Sequence, residues 1–276
     1  MPFLALCSHP FLWLSIGLLT RMAVATPSVE DEASSDSMRH NVVDAHGAII
    51  RGDISRKEIA LVFTGHEFAE GGPTILETLK RHGVPASFFL TGTFYANNSF
   101  HQLIRDLKEE GHFLGAHSDE HLLYADWSKR DSLLVTEERF KADLRGNYQR
   151  MEAFGIRVAE AQYFLPPYEW YNATIVRWTG EMGLTLVNFS PGTRSTADYT
   201  YPQMSNRYVS SDLIYQSIIE YKQKDPNGLN GFILLMHIGT DPRRTDKFYN
   251  KLDRLINELK EEGYKFARID DLLTNE

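Results

Sequence analysis

One unit recurs along the body of the chain: an amphipathic helix, a glycine, and then a short apolar strand. The glycines of the five copies are Gly83, Gly111, Gly155, Gly183 and Gly263. A glycine just after the last helical turn accepts the left-handed conformation that satisfies the trailing carbonyl groups. Helices that alternate with short apolar strands in this way are typical of a parallel sheet covered by helices.

Seven apolar segments are the predicted strands of this sheet. They cover residues 58–63, 86–90, 112–115, 162–164, 184–187, 231–236 and 264–266. Seven parallel strands fit either an open doubly wound sheet or a slightly incomplete barrel. Because the first strand is not followed by G-x-G-x-x-G, a nucleotide-binding open sheet is the weaker interpretation. In a barrel, the chemistry lies at the carboxyl ends of the strands.

The composition is that of an ordinary globular protein, and it bears on the partners. Of the 276 residues, 42% are hydrophobic and 24% are charged, and the formal net charge is −8. An acidic protein is repelled by nucleic acid and by anionic membranes, so neither is an expected partner. Cys7 is the only cysteine. A metal in the mature chain would therefore rest on His, Asp and Glu side chains.

The N-terminal residues resemble a targeting segment. Residues 11–19 form an apolar run too short to span a bilayer comfortably, and residues 23–25 carry an A-x-A cleavage signature. We predict a signal peptide over residues 1–25, a flexible lead-in over 26–46 and a catalytic domain over 47–276. The mature protein is then exported, with no stable membrane span. An uncleaved anchor is the alternative.

Two histidines four residues apart, His117 and His121, follow the predicted strand 112–115. Side chains at this spacing can point the same way, so their ring nitrogens can converge on one cation. Neutral imidazoles bind first-row divalent metals, and zinc is the commonest of these in such sites. The alternative is a pair of surface histidines in a polar loop.

Other predicted strands also end in polar and aromatic residues. Residues 64–67 follow the strand 58–63, residues 165–172 follow 162–164, and His237 follows 231–236. Since the carboxyl ends of parallel strands meet at one edge, these segments would form a common rim with the two histidines. The alternative to a functional role for His237 is that it is a hydrogen-bonded histidine of the core.

These segments resemble the polysaccharide deacetylase superfamily, carbohydrate esterase family 4, across roughly residues 55–272. Residues 117–121 match its metal motif H-[ST]-x-x-H, and residues 164–168 match most of F-R-P-P-Y. Residues 235–237 match L-x-H, and residues 86–92 are similar to A-[ST]-F-F-x-x-G. The order and spacing of all four motifs agree, which is more specific than any one of them.

The resemblance implies a distorted (β/α)7 barrel and a divalent metal held by one aspartate and two histidines, here His117 and His121. In such a site, the metal activates water against an acetyl carbonyl group. A base takes the proton of the water, and a histidine, here His237, protonates the departing group. The implied substrate is an acetylated oligo- or polysaccharide.

Two departures from the family pattern affect the predicted site. Where the family has T-F-D-D-G, this chain has Thr64 and Gly65, so both the basic and the metal-binding aspartates are missing. Leu165 replaces the arginine that orients the base. We predict Glu67 as the third metal ligand, the alternative being that it is solvated and that water takes its place.

The remaining roles are less constrained by the pattern. His66 is predicted to be the substitute base or a fourth metal ligand, and Asp119 and Glu169 are further candidates for the base. Tyr168 and Trp170 are predicted to bind substrate by stacking on sugar rings. The sequence thus predicts a metal-dependent hydrolase that removes acetyl groups from an N- or O-acetylated carbohydrate. The alternative is a catalytically impaired barrel that binds carbohydrate without turnover.

Overall fold

The computed structural model describes residues 40–274, and an eight-residue strand lies at the centre of its sheet. The strands are β1 (Val42–Val43), β2 (Ile49–Arg51), β3 (Glu58–Gly65), β4 (Ser87–Leu90), β5 (Phe113–Ala116), β6 (Tyr163–Phe164), β7 (Thr185–Leu186), β8 (Phe232–His237) and β9 (Lys265–Ala267). The predicted signal peptide and most of the predicted lead-in lie outside the described residues.

Helices separate most of the strands, as the repeating unit predicts. They are α1 (Gly72–His82), α2 (Gly92–Ala96), α3 (His101–Glu109), α4 (Glu137–Glu152), α5 (Ala173–Glu181), α6 (Ser211–Lys224), α7 (Leu252–Glu261) and α8 (Ile269–Leu273). The five predicted helix-ending glycines all have left-handed φ angles, between 59° and 86°. Helices α2, α6 and α8 are additions that the repeating unit does not predict.

The sheet closes into a distorted barrel. Strand β3 pairs in parallel with β8 on one side and β4 on the other, and β5, β6 and β7 continue in parallel from β4. On the far side of β8, strand β2 pairs antiparallel. A parallel bridge between Ile49 of β2 and Val187 after β7 then joins the two ends. The barrel predicted from the family resemblance is confirmed.

One of the seven predicted strands does not lie in this ring. Strand β9 pairs only with residues 58–60 at the beginning of β3, along the edge that β4 occupies further on. The seventh place is taken by β2, which was not predicted because three residues are too few to show a periodic pattern. Strand β1 lies within the predicted lead-in 26–46, so ordered structure begins earlier than expected.

The core is formed by the strands and by the apolar faces of the helices. Strands β3, β4 and β8 are buried almost throughout, as expected for parallel strands covered on both faces. The parallel strands β3, β5, β6 and β8 all run in one direction, so their carboxyl ends share one rim of the barrel. Among residues 40–274, no helix combines the length and the apolarity that crossing a membrane requires.

Candidate active site

The histidine turn, residues 117–121, follows β5 and is fastened to helix α4. The backbone N–H of His117 donates to Asn147 Oδ1 at 2.8 Å, and Ser118 Oγ donates to Asp143 Oδ2 at 2.7 Å. Asp143 also accepts from the backbone N–H of Glu120 at 3.0 Å and from the Tyr124 hydroxyl at 2.8 Å. Asp143 and Asn147 are buried, so these bonds are shielded from water.

The backbone of the histidine turn is strained. Ser118 and His121 have left-handed φ angles of 76° and 58°. For residues other than glycine, such conformations cost about 1–3 kcal/mol each and persist only where the surroundings enforce them. The hydrogen bonds to Asp143 and Asn147 supply that enforcement. Strain of this kind gathers at functional sites, which supports a role for the turn.

The two histidines of the turn present neutral imidazoles. His117 Nδ1–H donates to the carbonyl oxygen of Leu165 at 2.7 Å, which leaves the lone pair on Nε2. The ring of His121 lies 5.1 Å from that of His117, between centroids. Burial lowers the pKa of His117 to about 3, and burial together with the neighbouring histidines lowers the pKa of His121 to about 2. Neutral imidazole is the form that binds metal.

A third imidazole adjoins this pair. The ring of His66, just beyond β3, stacks on that of His121 with centroids 4.6 Å apart. His66 Nδ1 lies 3.1 Å from the Thr91 hydroxyl. Burial lowers the pKa of His66, an effect that Glu67 partly opposes. The predicted meeting of His66, His117 and His121 at one rim is therefore what the structure shows.

The β3 end, residues 64–67, shows what replaced the family's two aspartates. Thr64 is 2% exposed, and its Oγ1 has no hydrogen-bond partner among the described residues. At Gly65, an added Cβ atom would lie 2.8 Å from both Ile238 Cγ2 and Leu90 Cδ2. Apolar side chains thus occupy the space beside Gly65, which is the position of the metal-binding aspartate in the family pattern.

The predicted three-ligand set is not formed. Within residues 40–274, no three His, Cys, Asp or Glu side chains come together in an arrangement that would hold a metal ion. Glu67 is exposed and forms no ion pair with any residue of 40–274. A carboxylate without a cation partner is more stable in water than against a buried imidazole. Donor chemistry suits a divalent cation at His117 and His121, whereas the carboxylate ligand is not in place.

His237 lies at the end of β8 and is held by an aspartate that the sequence analysis missed. His237 Nδ1–H donates to Asp198 Oδ1 at 2.6 Å, and its backbone N–H donates to Asp198 Oδ2 at 2.9 Å. Burial lowers the pKa of His237, but the charge and hydrogen bond of Asp198 outweigh burial and raise it overall. In the register of β3 and β8, Thr64 is the direct partner of His237.

Asp198 reaches His237 from an irregular segment between β7 and α6. It lies in a short 3₁₀ turn, Ser195–Tyr199, and the fully buried Arg244 fastens the chain that follows. The Arg244 guanidinium donates to the carbonyl oxygens of Thr200 and Val209. No periodic pattern marks this segment, so the sequence contained no signal for Asp198.

The proline turn, Pro167–Glu169, follows β6 and carries two further cavity residues. Tyr168 and Glu169 both have left-handed φ angles, 59° and 52°. The ring of Tyr168 lies 4.4 Å from that of His121, between centroids. The side chain of Glu169 is partly buried. Burial raises the pKa of Glu169 to about 7, against an opposing attraction to His237.

The two aromatic residues predicted to bind substrate occupy different places. Tyr168 is 44% exposed and lines the cavity. Trp170 is not part of the cavity wall. It packs beneath Trp127, with ring centroids 5.3 Å apart, and the Arg130 guanidinium covers its ring at 4.0 Å. Trp127 itself is 55% exposed and lines the cavity, so it replaces Trp170 as the surface aromatic residue.

These groups surround one cavity of about 760 Å³ at the carboxyl ends of the strands. Its lining joins the β3 end, both histidines of the histidine turn, the proline turn and His237. Asp119, a candidate base, is not in this lining and forms an ion pair with Arg150 instead. The polar residues Asp143 and Asn147 could have been found from the sequence, because they interrupt the buried face of α4 at a spacing of four residues.

Comparison with known proteins agrees with this geometry. The family model for polysaccharide deacetylase matches residues 51–187, a span that includes the histidine turn and the proline turn. The peptidoglycan-N-acetylmuramic acid deacetylase PdaA of Bacillus subtilis strain 168 is 27% identical, over 85% of this chain and 78% of its own length. The solved structure of PdaA, a family 4 carbohydrate esterase, aligns with a TM-score of 0.61 over 82% of this chain and 85% of that one.

Two more similar proteins extend the comparison. The peptidoglycan-N-acetylglucosamine deacetylase PgdA of Listeria monocytogenes strain 10403S is 28% identical over 79% of this chain, which spans only 39% of that relative's length. The structure of BA3943 from Bacillus anthracis, a CE4 family pseudoenzyme, aligns with a TM-score of 0.63 at 21% identity, over 84% of this chain and 70% of that one. At that identity, the likeness to BA3943 shows the fold alone. The matched family and the shared barrel lead to one conclusion: the chain belongs to the polysaccharide deacetylase superfamily.

Proposed function

We propose that this protein is a hydrolase that removes acetyl groups from an N- or O-acetylated carbohydrate. One observation carries the proposal: a histidine clamped by a buried aspartate lines the same cavity as a pair of neutral imidazoles. Asp198 favours the protonated form of His237, whereas burial keeps His117 and His121 neutral. One cavity therefore presents a proton donor beside groups able to bind a cation.

His237 would act as the acid of the reaction. Its Nδ1–H is engaged by Asp198, so Nε2 is the ring nitrogen left to carry a proton towards substrate. Because the pKa of His237 is raised above its ordinary value, the ring is more often protonated near neutral pH. An imidazolium in this position can protonate the nitrogen or oxygen that leaves when acetate is released.

A divalent cation, zinc first among candidates, would bind to His117 and His121, with Glu67 as the predicted third ligand and His66 adjoining. When bound, such a cation would polarise an acetyl carbonyl group. Glu67 is exposed and lines the same cavity as the two histidines. The histidine turn, by contrast, is already fixed by its bonds to α4.

The cavity wall suits a carbohydrate substrate. Tyr168 and Trp127 are exposed aromatic rings 5.7 Å apart, between centroids, and such surfaces stack against the apolar faces of sugar rings. The names of PdaA and PgdA describe deacetylases of peptidoglycan amino sugars. We therefore place acetylated amino sugars of cell-wall glycans first among substrates to test, with the protein exported to act on them.

The test measures acetate released from N-acetylated and O-acetylated glycans, together with the metal content of the purified protein. His117→Ala should lose both the metal and the acetate release, whereas His40→Ala, at an exposed histidine outside the cavity, should change neither. His237→Ala should lower acetate release while the metal stays bound. Glu67→Gln should lower metal content. Unchanged metal content in Glu67→Gln would remove Glu67 as a ligand.

A second candidate is a barrel that binds acetylated carbohydrate without turning it over. It is favoured by the replacement of both aspartates and the arginine at Thr64, Gly65 and Leu165, and by the apolar packing beside Gly65. Saturable binding of a glycan with no acetate release, at any pH and with any divalent metal added, would establish this candidate and refute the hydrolase.

A further inference from the structure

Three carboxylates line the cavity, and they are held in different ways. Asp241 forms an ion pair with Arg243, and Glu67 is exposed. Glu169 is partly buried, as Asp241 is, but within residues 40–274 its carboxylate has neither a hydrogen-bond nor an ion-pair partner. A carboxylate that is withdrawn from water and left unpaired within a cavity is available to a ligand.

The backbone around Glu169 is built to hold this carboxylate in place. Its N–H donates to the carbonyl oxygen of Pro166 at 3.1 Å, and its carbonyl oxygen accepts from Asn188 Nδ2 at 3.0 Å. These two bonds secure a left-handed conformation that a glutamate would otherwise avoid. A side chain kept in a disfavoured backbone conformation and aimed at a cavity indicates a functional constraint.

The charged groups that act on Glu169 belong to the same site. They are His237, from β8, and Asp198, from the Ser195–Tyr199 turn. Burial raises the pKa of Glu169 to about 7, His237 lowers it and Asp198 raises it. A base whose pKa lies near the working pH combines a sufficient ionised fraction with sufficient basicity.

We propose that Glu169 is the general base of this chain and works with His237 as the acid, in place of the aspartate that is missing at Thr64. The assignment rests on the hydrolase function proposed above. It differs from that function in naming a base from the proline turn, whereas the sequence pattern favours His66 at the β3 end.

The reaction balances with these two groups. Glu169 takes a proton from water as the water oxygen bonds to the acetyl carbonyl carbon, which gives a tetrahedral intermediate. The bond from that carbon to nitrogen or oxygen then breaks, and the departing atom receives a proton from the His237 imidazolium. Acetic acid, which ionises to acetate and a proton in solvent, and a free amine or alcohol leave. The proton on Glu169 then returns to His237 through solvent, and one water has been consumed.

The test compares pH profiles of acetate release for the wild type, Glu169→Gln and Glu169→Asp. Glu169→Gln should lower kcat by about 100-fold or more and abolish the fall in rate below pH 7. Glu169→Asp should keep that fall at reduced kcat. Glu77→Gln, on the exposed face of α1, is the matched control and should behave as the wild type. A Glu169→Gln protein with wild-type kcat and an unchanged profile would overturn the assignment.

A measurement that needs no turnover separates this assignment from the proposed function. The pKa of His237 is followed by NMR, and Glu169→Gln should lower it because the facing negative charge is lost. An unchanged His237 pKa would show that the two groups do not face each other and would also overturn the assignment. If the wild type releases no acetate, but the pKa of His237 still falls in Glu169→Gln, the hydrolase function is refuted. The pairing of Glu169 with His237 would then stand.

Discussion

The histidine turn and the β3 end face the same cavity but are built in opposite ways. In the histidine turn, strained backbone is held by buried hydrogen bonds from Asp143 and Asn147. At the β3 end, apolar side chains fill the space beside Gly65, and the buried Thr64 hydroxyl has no hydrogen-bond partner among the residues that the structure describes. The histidine turn therefore carries strained backbone held by buried hydrogen bonds, whereas at the β3 end apolar side chains fill the space beside the backbone.

The contrast teaches where the chemistry of this chain resides. Strained backbone and buried ionisable groups lower stability, so they are expected to disappear from a site that has lost its role. Here they persist in the histidine turn, the proline turn and the pair formed by His237 and Asp198. The β3 end is the part that was rebuilt, which agrees with a base drawn from a different turn.

The largest expected effect is on the support of the histidine turn. Asp143→Ala would leave the Ser118 hydroxyl, the Tyr124 hydroxyl and a backbone N–H without their acceptor. At about 1–3 kcal/mol for each donor left unpaired, we expect a loss of roughly 3–9 kcal/mol in the free energy of unfolding. Urea denaturation measures this loss, with Glu152→Gln on the exposed face of α4 as the control.

If Asp143→Ala does not fold, a milder substitution of the same residue still tests the prediction. Asp143→Asn preserves the size of the side chain and should still lower metal binding by His117 and His121, because the turn is no longer held in its strained form. Full stability and full metal binding in both variants would contradict the role of Asp143 in holding the histidine turn.

The next effect is on the clamp of His237. Asp198→Asn should lower acetate release by about 10²–10⁴-fold and move the alkaline fall of the rate to lower pH, because the pKa of His237 falls. Asp198 raises the pKa of folded His237, so its stabilisation is fully present below the ordinary histidine pKa of about 6.5. It is lost as the pH rises through the folded value.

Urea denaturation at several pH values tests the direction of this pH dependence. The stability difference between the wild type and Asp198→Asn should be largest below about pH 6.5 and shrink as the pH increases. A difference that grows with pH would contradict the clamp. His237→Gln is a suitable control, because it removes the titrating ring and should flatten the dependence in both backgrounds.

A smaller effect tests the packing at the β3 end. In Gly65→Ala, the new Cβ atom would lie 2.8 Å from Ile238 and Leu90, and we expect a loss of about 1–3 kcal/mol in stability. Gly180→Ala is the matched control, because its Cβ atom meets nothing within 4 Å and alanine favours the helix. Thermal unfolding compares the two. Equal stability of Gly65→Ala and the wild type would show that the space beside Gly65 is not tightly filled.

The smallest effect concerns the orphaned hydroxyl. Thr64→Val keeps the shape of the side chain and removes a buried hydroxyl that has no partner within residues 40–274, so stability should rise by about 1 kcal/mol or less. Thr179→Val is the opposite case, because the Thr179 hydroxyl donates to the Ile175 carbonyl oxygen at 2.8 Å and its removal should be destabilising. A stability loss in Thr64→Val would show that its hydroxyl is used.

Much of the barrel was predictable, because its signals are local. Six of the ring strands follow from apolar runs, and the glycines mark the helix ends. The seventh ring strand, β2, was missed because it is short and pairs antiparallel with a strand about 180 residues later in the chain. Strand β9 pairs with the beginning of β3 and β4 pairs with its end, an arrangement that no local sequence pattern records.

The residues of the candidate site also divide into those that the sequence predicted and those that only the fold revealed. His117, His121, His237 and Tyr168 were predicted from motifs, and His66 from its position beside the missing aspartates; all five line one cavity. Glu67 was predicted from its position along the turn, but its side chain is exposed. Trp170 was predicted from its neighbours, yet Trp127 takes the surface place above it. Asp198 lies in an irregular segment, where only the fold brings it to His237.

The sequence by itself determined which side chains follow the barrel strands, since hydrophobic periodicity and glycine positions are properties of the chain read in order. Only the tertiary structure decided which of those side chains meet. The partner of His237, the withdrawal of Glu169 from water and the filling of the space beside Gly65 all depend on segments far apart in the chain. Their burial sets the charge that each carries, because the cost of ionisation depends on the surroundings that folding creates.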